Sequence, residues 1–216
     1  MKNPMTLLLK QARRPKGWLG AFMLKGMNKG HSKMTDWGLA QISIEKDFII
    51  LDVGCGGGRT IYKLAQIASN GRVFGIDISE KSVEISRETN AQLIKEGRVE
   101  ASHGSVSHLP FPDNTFDLVT TFESHYFWPD LVNDMKEILR VLKPRGNFLV
   151  VGEVYKGGNY ESKHPGFIDM ATHEINMSLP GIRDINAILL KAGFSDVNTY
   201  EDNGKKIICS IGKKML

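Results

Sequence analysis

A glycine-rich segment between an apolar run and a helical pattern is the first place in this sequence where ligand chemistry is expected. The segment ILDVGCGGGRT spans Ile50 to Thr60 and contains Gly54, Gly56, Gly57 and Gly58. A tight turn alone needs only one or two glycines, and backbone without Cβ atoms lets N–H groups approach a ligand closely. The segment therefore predicts a ligand-binding loop. The alternatives are a simple turn, a dinucleotide loop and a loop for another adenosine cofactor.

The spacing in this loop disfavours the two common phosphate-binding patterns. A dinucleotide loop needs Gly-x-Gly-x-x-Gly, but counting from Gly54 the sixth position is Arg59. A P-loop needs Gly-Lys-Ser/Thr, which does not follow here. Asp77 lies 23 residues after Gly54 at the end of the next apolar run. A carboxylate there can accept both hydroxyls of a ribose, which favours an adenosine group without a 2′-phosphate. The alternative for Asp77 is a structural role as the neighbour of the N-cap of the following helix.

The elements that must position these residues alternate between strands and helices. Apolar runs predict strands at Phe48–Val53, Arg72–Ile78, Val99–His103, Phe116–Phe122 and Asn147–Glu153. Helical patterns cover Thr60–Ala68, Ser79–Glu96 with Ser79 as N-cap, Leu131–Leu142 and Ile182–Ala192. Two last strands, Val197–Glu201 and Lys205–Ile211, are joined by the turn signal Asp202-Asn203-Gly204. This order predicts an α/β fold whose parallel sheet has helices on both faces and ends in an antiparallel hairpin.

Charge divides the 216-residue chain into an arm and a domain. The chain has a net charge of +4, but residues 1–33 carry eight Lys or Arg and no acid, and the remainder carries 20 basic and 24 acidic side chains. Residues 1–40 are predicted to be a basic helical arm, for which the family resemblance given below implies the role of a lid, and residues 41–216 the main domain. Residues 155–181, with a short helix at 167–177, are predicted to be an insertion over the carboxyl edge of the sheet.

Four motifs in order resemble those of the class I S-adenosylmethionine-dependent methyltransferases. They are ILDVGCGGG, GIDIS, GSVSHLPFPDNTFDLVTT and LRVLKPRGNFLV. The resemblance covers about residues 45–155 and the terminal hairpin, and it is nearest to the small-molecule branch that includes quinone-type C-methyltransferases. It implies a Rossmann-like, doubly wound, seven-stranded sheet that is mostly parallel with an antiparallel last strand. It also implies S-adenosylmethionine as methyl donor, with S-adenosylhomocysteine as product, and a small-molecule acceptor.

The resemblance implies a set of donor-binding residues. Asp52 and Gly54 match positions that line the methionine moiety, and Cys55 and Gly56 match backbone contacts. Asp77 matches the ribose-binding acid. The remaining matches are Ile78 on the adenine face, Ser105 and Val106 near the adenine amino group, and Phe122 beside the donor's amino group. Ser105 stands where the family commonly has Asp or Asn, so adenine recognition is expected to use the Val106 backbone N–H.

The acceptor and any general base are expected just beyond the fourth and fifth strands. Methyl transfer needs alignment of acceptor and methyl group, and only some acceptors need a base. The catalytic candidates are Glu123, His125, Tyr126 and Glu153. The alternative for Glu123 is a solvated loop acid, and that for Tyr126 is aromatic packing. The arm offers further residues that could close on donor and acceptor: His31, Thr35 and Trp37, the last with core packing as its alternative.

Other classes of function and partner are less favoured. The arm lacks the repeated aromatic residues of a nucleic-acid groove, so no nucleic acid is expected. His164 and His173 do not have the closer spacing of metal ligands, and no metal is expected.

The cysteines indicate the cellular location. Cys55 and Cys209 predict reduced thiols, and neither a signal peptide nor a membrane span is expected, so the cytoplasm is the predicted location. The sequence allows peripheral membrane contact through the arm. It is compatible with either a monomer or a homodimer. A nicotinamide-dependent oxidoreductase and a non-catalytic donor-binding module are the alternative functions.

Overall fold

Seven strands form one sheet in the spatial order β3-β2-β1-β4-β5-β7-β6. The computed structural model describes residues 4–202, 204 and 207–216. The strands are β1 Ile49–Val53, β2 Arg72–Asp77, β3 Val99–His103, β4 Phe116–Phe122, β5 Leu142–Gly152, β6 Ser195–Asp202 and β7 Ile207–Lys213. β7 runs antiparallel to both β5 and β6, whereas β3, β2, β1, β4 and β5 pair in parallel. The predicted α/β fold with an antiparallel last strand is confirmed. Asn203 of the predicted turn and residues 205–206 of the predicted last strand lie outside the described residues.

Helices precede and connect these strands. An N-terminal group consists of α1 Pro4–Arg13, α2 Gly17–Gly30 and α3 Ser32–Leu39. Those within the sheet region are α4 Arg59–Ile67, α5 Glu80–Thr89, α6 Ala91–Lys95, α7 Leu131–Val141, α8 Asn159–Lys163, α9 Pro165–Ile175 and α10 Ile182–Ala192. In the part of the chain that is described, none of these helices has the length and apolar character needed to cross a bilayer.

Two elements differ from the pattern predicted along the sequence. The helix expected over 79–96 is interrupted at Asn90, whose side-chain amide donates to the Gly58 carbonyl at 3.0 Å instead of only supporting its own helix. Ser79 is its N-cap, as predicted, and accepts from the Ser82 N–H. β5 starts directly after α7 at Leu142 rather than at Asn147, because buried Leu142 pairs with Phe116 and the residue before Pro144 favours an extended backbone.

Both faces of the sheet are covered, which fixes where the open edge lies. α7 and α10 pack on one face around Phe116, Phe148 and Met135, and α3, α4 and α6 pack on the other around Ile50, Leu64 and Leu149. β1 is the centre of the fold, because the chain leaves it to β2 on one side and later returns to β4 on the other. Ligands of such sheets bind at the carboxyl ends of the strands on either side of this switch point.

The helix that follows the glycine-rich loop is held tightly against α5 at Gly58. Gly58 has φ +77°, and a Cβ built on it would lie 2.5 Å from Ser86 Oγ and 2.8 Å from Ser86 Cα. The Thr89 hydroxyl donates to the Gly57 carbonyl at 2.8 Å beside this contact. Gly58 therefore supplies the close helix packing that the missing glycine at position 59 would supply in a dinucleotide loop.

A pair of alanine substitutions separates this packing from backbone strain. Gly58→Ala should lower the free energy of unfolding by about 3 kcal/mol, because a left-handed backbone and an overpacked contact both add cost. Gly97→Ala is the matched control, since Gly97 has φ +74° but nothing within 4 Å of its Cβ position. It should cost about 1 kcal/mol. Urea unfolding measures both, and equal losses would show that Ser86 does not restrict position 58.

Candidate functional site

A cavity of about 600 Å³ lies at the carboxyl ends of β1, β2 and β4. Its size suits a cofactor together with a small acceptor. All the predicted donor-binding residues except Trp37 line it: Asp52, Gly54, Cys55, Gly56, Asp77, Ile78, Ser105, Val106 and Phe122. The sequence motifs thus converge on one place because each follows a strand that ends at this edge.

Asp77 ties the glycine-rich loop to the end of β2. One carboxylate oxygen accepts from the Gly56 N–H at 2.9 Å, and the other accepts from the Ser79 N–H at 2.8 Å. Burial raises the pKa of this carboxyl, and the two N–H donors oppose that shift by stabilising the charged form. Each oxygen has used one acceptor position, so each can still accept from a hydroxyl. The carboxylate can therefore hold the loop and a ribose together.

Asp52 is a second buried acid in the wall of the cavity. Burial raises its pKa to about 7, the Thr120 hydroxyl lowers it by donating to Oδ1 at 2.7 Å, and the charge of Asp77 raises it. Near neutral pH this carboxyl is therefore divided between its two protonation states. A cationic group placed beside it would favour the ionised form.

The loop leaves open space where a cofactor would need it. The Gly54 N–H donates to the Ile76 carbonyl at 2.8 Å, which anchors the loop on β2. A Cβ at Gly54 would lie 2.4 Å from Ser124 Oγ, whereas at Gly56 the nearest atom would be Leu24 Cδ2 at 3.8 Å. Gly54 is thus required by packing, and Gly56 keeps backbone accessible from the cavity. This arrangement fits an adenosyl cofactor whose ribose lies against Asp77.

Glu123 is the predicted catalytic residue that the structure places in the cavity wall. It follows β4 directly and has φ +55°. Its carboxylate accepts from the Glu153 N–H at 2.6 Å and from the Tyr126 hydroxyl. Burial and the charge of Glu153 raise the pKa of Glu123 to about 7, and the two hydrogen bonds oppose the shift. A carboxyl with that pKa can accept a proton at neutral pH.

The other three predicted catalytic residues lie behind Glu123 rather than in the cavity wall. Tyr126 is buried and directs its hydroxyl to Glu123. His125 is fully buried, burial lowers its pKa to about 4, and within the described chain neither ring nitrogen has a hydrogen-bond partner. The structure therefore does not support direct hydrogen bonding of an acceptor by His125 or Tyr126. Glu153 stands at the end of β5, beside Glu123.

Two of the three residues predicted on the N-terminal arm lie at the site. His31, at the junction of α2 and α3, and Thr35 line the cavity. Trp37 does not, because it faces the sheet and packs in the core cluster that contains Leu149 and Val151. The packing alternative for Trp37 is therefore the one that the structure favours.

His31 also forms the only potential metal-ligand group found among the described residues. Single ligand atoms of His31, Glu123 and Glu153 lie within 4.8 Å of one another. Burial lowers the pKa of His31, while Glu153 raises it. His164 and His173 do not take part: His164 lies against Tyr160, and His173 is bonded to Asp169 on its own helix.

Several wall residues were not predicted from the sequence. Cations of the arm and of α4 line the cavity, together with an apolar wall: Lys10, Arg13, Arg14, Lys16, Arg59, Leu24, Met27, Phe127, Trp128 and Ile175. Phe127 and Trp128 follow β4 and Arg59 follows the loop after β1, but the arm residues and Ile175 come from helices that approach from outside the sheet, so the strand-end signal could not find them. The basic composition of the arm was the one available indication.

Comparisons with known proteins agree with the motifs. A family model described as a methyltransferase domain matches residues 50–146. The demethylmenaquinone methyltransferase of Bacillus pumilus is 30% identical over 207 residues, covering 87% of this chain and 88% of that protein. Alignments to further relatives of the same name are shorter, covering 40% of one and 52% of another.

Solved structures share the fold. A chain of a Haloferax volcanii complex containing the Trm112 methyltransferase activator superposes with a TM-score of 0.78 at 19% identity, covering 100% of both chains. An S-adenosylmethionine-dependent methyltransferase from Aquifex aeolicus gives a TM-score of 0.69 at 19% identity, covering 89% of this chain and 97% of that one. At these identities the likeness concerns the fold alone.

The environment of Glu123 predicts how its carboxyl titrates. In glutamate-labelled protein, ¹³C NMR should show one carboxyl with a pKa near 7, assigned by its loss in Glu123→Gln. Glu153→Gln should lower that pKa, because a nearby negative charge is removed. Tyr126→Phe should raise it, because the carboxylate loses a donor. A Glu123 titration at its ordinary value, near 4.5, would contradict the burial described here.

Proposed function

Because the chain belongs to the class I S-adenosylmethionine-dependent methyltransferase family, in its quinone C-methyltransferase-like branch, we propose that its cavity aligns the methyl donor with a weakly acidic small molecule. The protein is a methyltransferase that uses S-adenosylmethionine, which favours this activity over the nicotinamide-dependent and non-catalytic alternatives. The observation that carries the proposal is the pairing of a ribose-competent Asp77 with a near-neutral Glu123 in the wall of one cavity.

The donor is proposed to lie along the carboxyl ends of β1 and β2. Asp77 accepts the ribose hydroxyls, and the Gly54–Gly56 backbone lies beside the methionine part with Asp52 and Cys55. Ile78, Ser105 and Val106 bind adenine, and Phe122 contributes beside the donor's amino group. All of these residues line the cavity. Asp52 is suited to a cationic neighbour, because a positive charge would offset the burial that raises its pKa.

The bound donor supplies a methyl group on a positively charged sulfur. When the methyl group is transferred, the sulfur leaves as a neutral thioether. Glu123 is proposed to take the proton that the acceptor loses as its nucleophilic atom bonds to the methyl group. Burial and the charge of Glu153 keep the pKa of Glu123 high, and Tyr126 orients the Glu123 carboxylate. His31 lies beside the carboxylates of Glu123 and Glu153. Its ring can accept a hydrogen bond from the methyl acceptor or donate one to it. The chain thus contributes alignment, proton acceptance and exclusion of water.

The acceptor is proposed to be the reduced, dihydroxy form of a demethylated quinone. The Bacillus pumilus relative aligned over most of both chains is named for demethylmenaquinone. A carboxyl base with a pKa near 7 can assist ionisation of a ring hydroxyl of such a quinol, which makes the adjacent ring carbon nucleophilic. That carbon bonds to the methyl group as the carbon–sulfur bond breaks. It then loses its own hydrogen as a proton while the ring oxygen regains one, which restores the aromatic quinol. The apolar wall of Leu24, Met27, Phe127 and Ile175 fits the hydrocarbon part of this acceptor.

Residues 1–40 are proposed to act as a lid together with the insertion at 155–181. The Ser79 hydroxyl donates to the Pro15 carbonyl, and the Arg13 guanidinium donates to the Ile175 carbonyl at 2.7 Å. These bonds hold the α1–α2 turn on the donor-binding strand and α1 on α9. Excluding water around a charged donor strengthens every electrostatic contact in the site.

The cellular setting is proposed from the thiols and the arm. Cys55 and Cys209 are free and buried, which supports a reducing compartment and therefore the cytoplasm. The protein is proposed to act as a monomer or homodimer, with peripheral membrane contact through its basic arm.

Asp77 provides the test of donor binding. Wild-type protein should bind S-adenosylhomocysteine in titration calorimetry and should not bind NAD under the same conditions. Asp77→Asn should weaken S-adenosylhomocysteine binding about 100-fold, because two charge-assisted hydrogen bonds are lost. Asp113→Asn, an exposed carboxylate away from the cavity, is the control. Tight NAD binding, or full affinity in Asp77→Asn, would contradict the donor assignment.

Glu123 provides the test of the acceptor chemistry. With reduced demethylmenaquinone and methyl-labelled donor, the wild-type rate should rise with pH through about 7, since Glu123 must lose its proton to act as base. Glu123→Gln should lower kcat by about 100-fold or more while S-adenosylhomocysteine still binds. The exposed Glu100→Gln is the control. If the quinol is not methylated but an amine or thiol is, the quinol proposal is wrong and the donor assignment still stands.

A further inference from the structure

We propose that an exposed face of α2, formed by Trp18, Phe22 and Lys25 and called the arm face below, docks on an anionic lipid bilayer and turns the cavity mouth toward it. This inference deepens the proposed function by naming the partner of the arm and the route of an apolar acceptor. It rests on the proposed function only for that route, because docking itself can be measured without turnover.

The arm face combines helical spacing with unusual exposure. Positions 18, 22 and 25 are four and three residues apart and therefore share one side of α2. Trp18 is 82% exposed and Phe22 is 73% exposed, more than any other aromatic side chain in the described residues. The opposite side of the helix is packed: Leu24 is buried, and Gly20 lies against Pro15. The exposed rings are thus not left over from poor packing of the helix as a whole.

The charges around the arm face select an anionic surface. Residues 1–33 contain eight basic side chains and no acidic one. Lys10, Arg14, Lys16 and Lys25 are exposed, and within the described residues none has a carboxylate within ion-pair distance. The rest of the chain carries more acids than bases. An anionic bilayer would attract the arm and repel the rest, which orients the molecule.

Other residues of the arm connect this surface to the cavity. Leu7, Lys10, Arg14 and Lys16, on α1 and in the α1–α2 turn, line the cavity, and Leu7 is also half exposed. Leu24 and Met27 line it from the side of α2 opposite the arm face. Exposed Trp and Phe beside Lys and Arg are typical of helices that lie in a membrane interface, where rings enter the lipid and cations meet headgroups. A bilayer that meets both the arm face and the cations of α1 would lie beside the cavity, and an apolar acceptor could pass from lipid to cavity without crossing water.

Vesicle co-sedimentation of the full chain tests the docking. Vesicles of phosphatidylcholine alone are compared with vesicles containing phosphatidylglycerol, at low and high salt. Trp18→Ala with Phe22→Ala removes the rings, and Lys25→Glu reverses a charge. The matched control is Leu190→Ala with Lys191→Glu on α10, where Leu190 is 59% exposed. S-adenosylhomocysteine calorimetry on each variant reports folding and donor binding separately.

The wild type and the α10 control should bind the phosphatidylglycerol vesicles equally, and salt should weaken this binding. Both arm variants should bind at least tenfold less while keeping donor affinity. No wild-type binding, or equal binding by the arm variants, would overturn the docking and leave the proposed function intact. Self-association of the wild type that is lost in the ring variant, without vesicle binding, would assign the face to a second copy and also overturn it. Loss of wild-type donor binding would count against the proposed function alone.

Discussion

The site depends on one carboxylate, that of Asp77, which is bonded to two backbone N–H groups from different elements. Gly56 belongs to the loop after β1, and Ser79 begins the helix after β2. The buried charge is stabilised only while both donors stay in place, so the loop, the strand and the helix hold one geometry together. The Asn90 and Thr89 bonds to the loop carbonyls secure its other side. Donor-facing backbone is thereby preorganised rather than flexible.

A second group of polar side chains, centred on Glu123, lies at the wall of the same cavity and is also held by hydrogen bonds from more than one element. Glu123 lies in a left-handed backbone position and is held by Tyr126 and by the Glu153 backbone. Burial of the Glu123 carboxyl and the nearby negative charge of Glu153 both disfavour its ionisation, which raises its pKa to about 7. In the proposed function, the Asp77 region holds the donor and the Glu123 region takes the proton. A ligand atom of His31 lies within 4.8 Å of those of Glu123 and Glu153, so the arm reaches this second group.

The structure brings together the predicted residues that lie at or next to the ends of parallel strands. Asp52 lies one residue before the end of β1, Asp77 ends β2 and Glu123 follows β4, and parallel strands bring their carboxyl ends to one edge. Prediction from sequence was weaker for residues whose position depends on how a helix packs against the sheet. Trp37 and His31 are six residues apart on the same arm, yet only His31 lines the cavity, since the rotation of α3 against the sheet decides which side chain points inward.

The sequence by itself determined the fold class and the family to which the chain belongs, and it predicted where the donor loop lies. These follow from local patterns: apolar periodicity, turn residues and the order of motifs. The tertiary structure alone decided which arm residues meet the cavity, that His125 and Tyr126 stand behind Glu123, and which face of α2 is left exposed. Such facts depend on how helices far apart in sequence pack together, and that packing is set by shape and burial across the whole molecule.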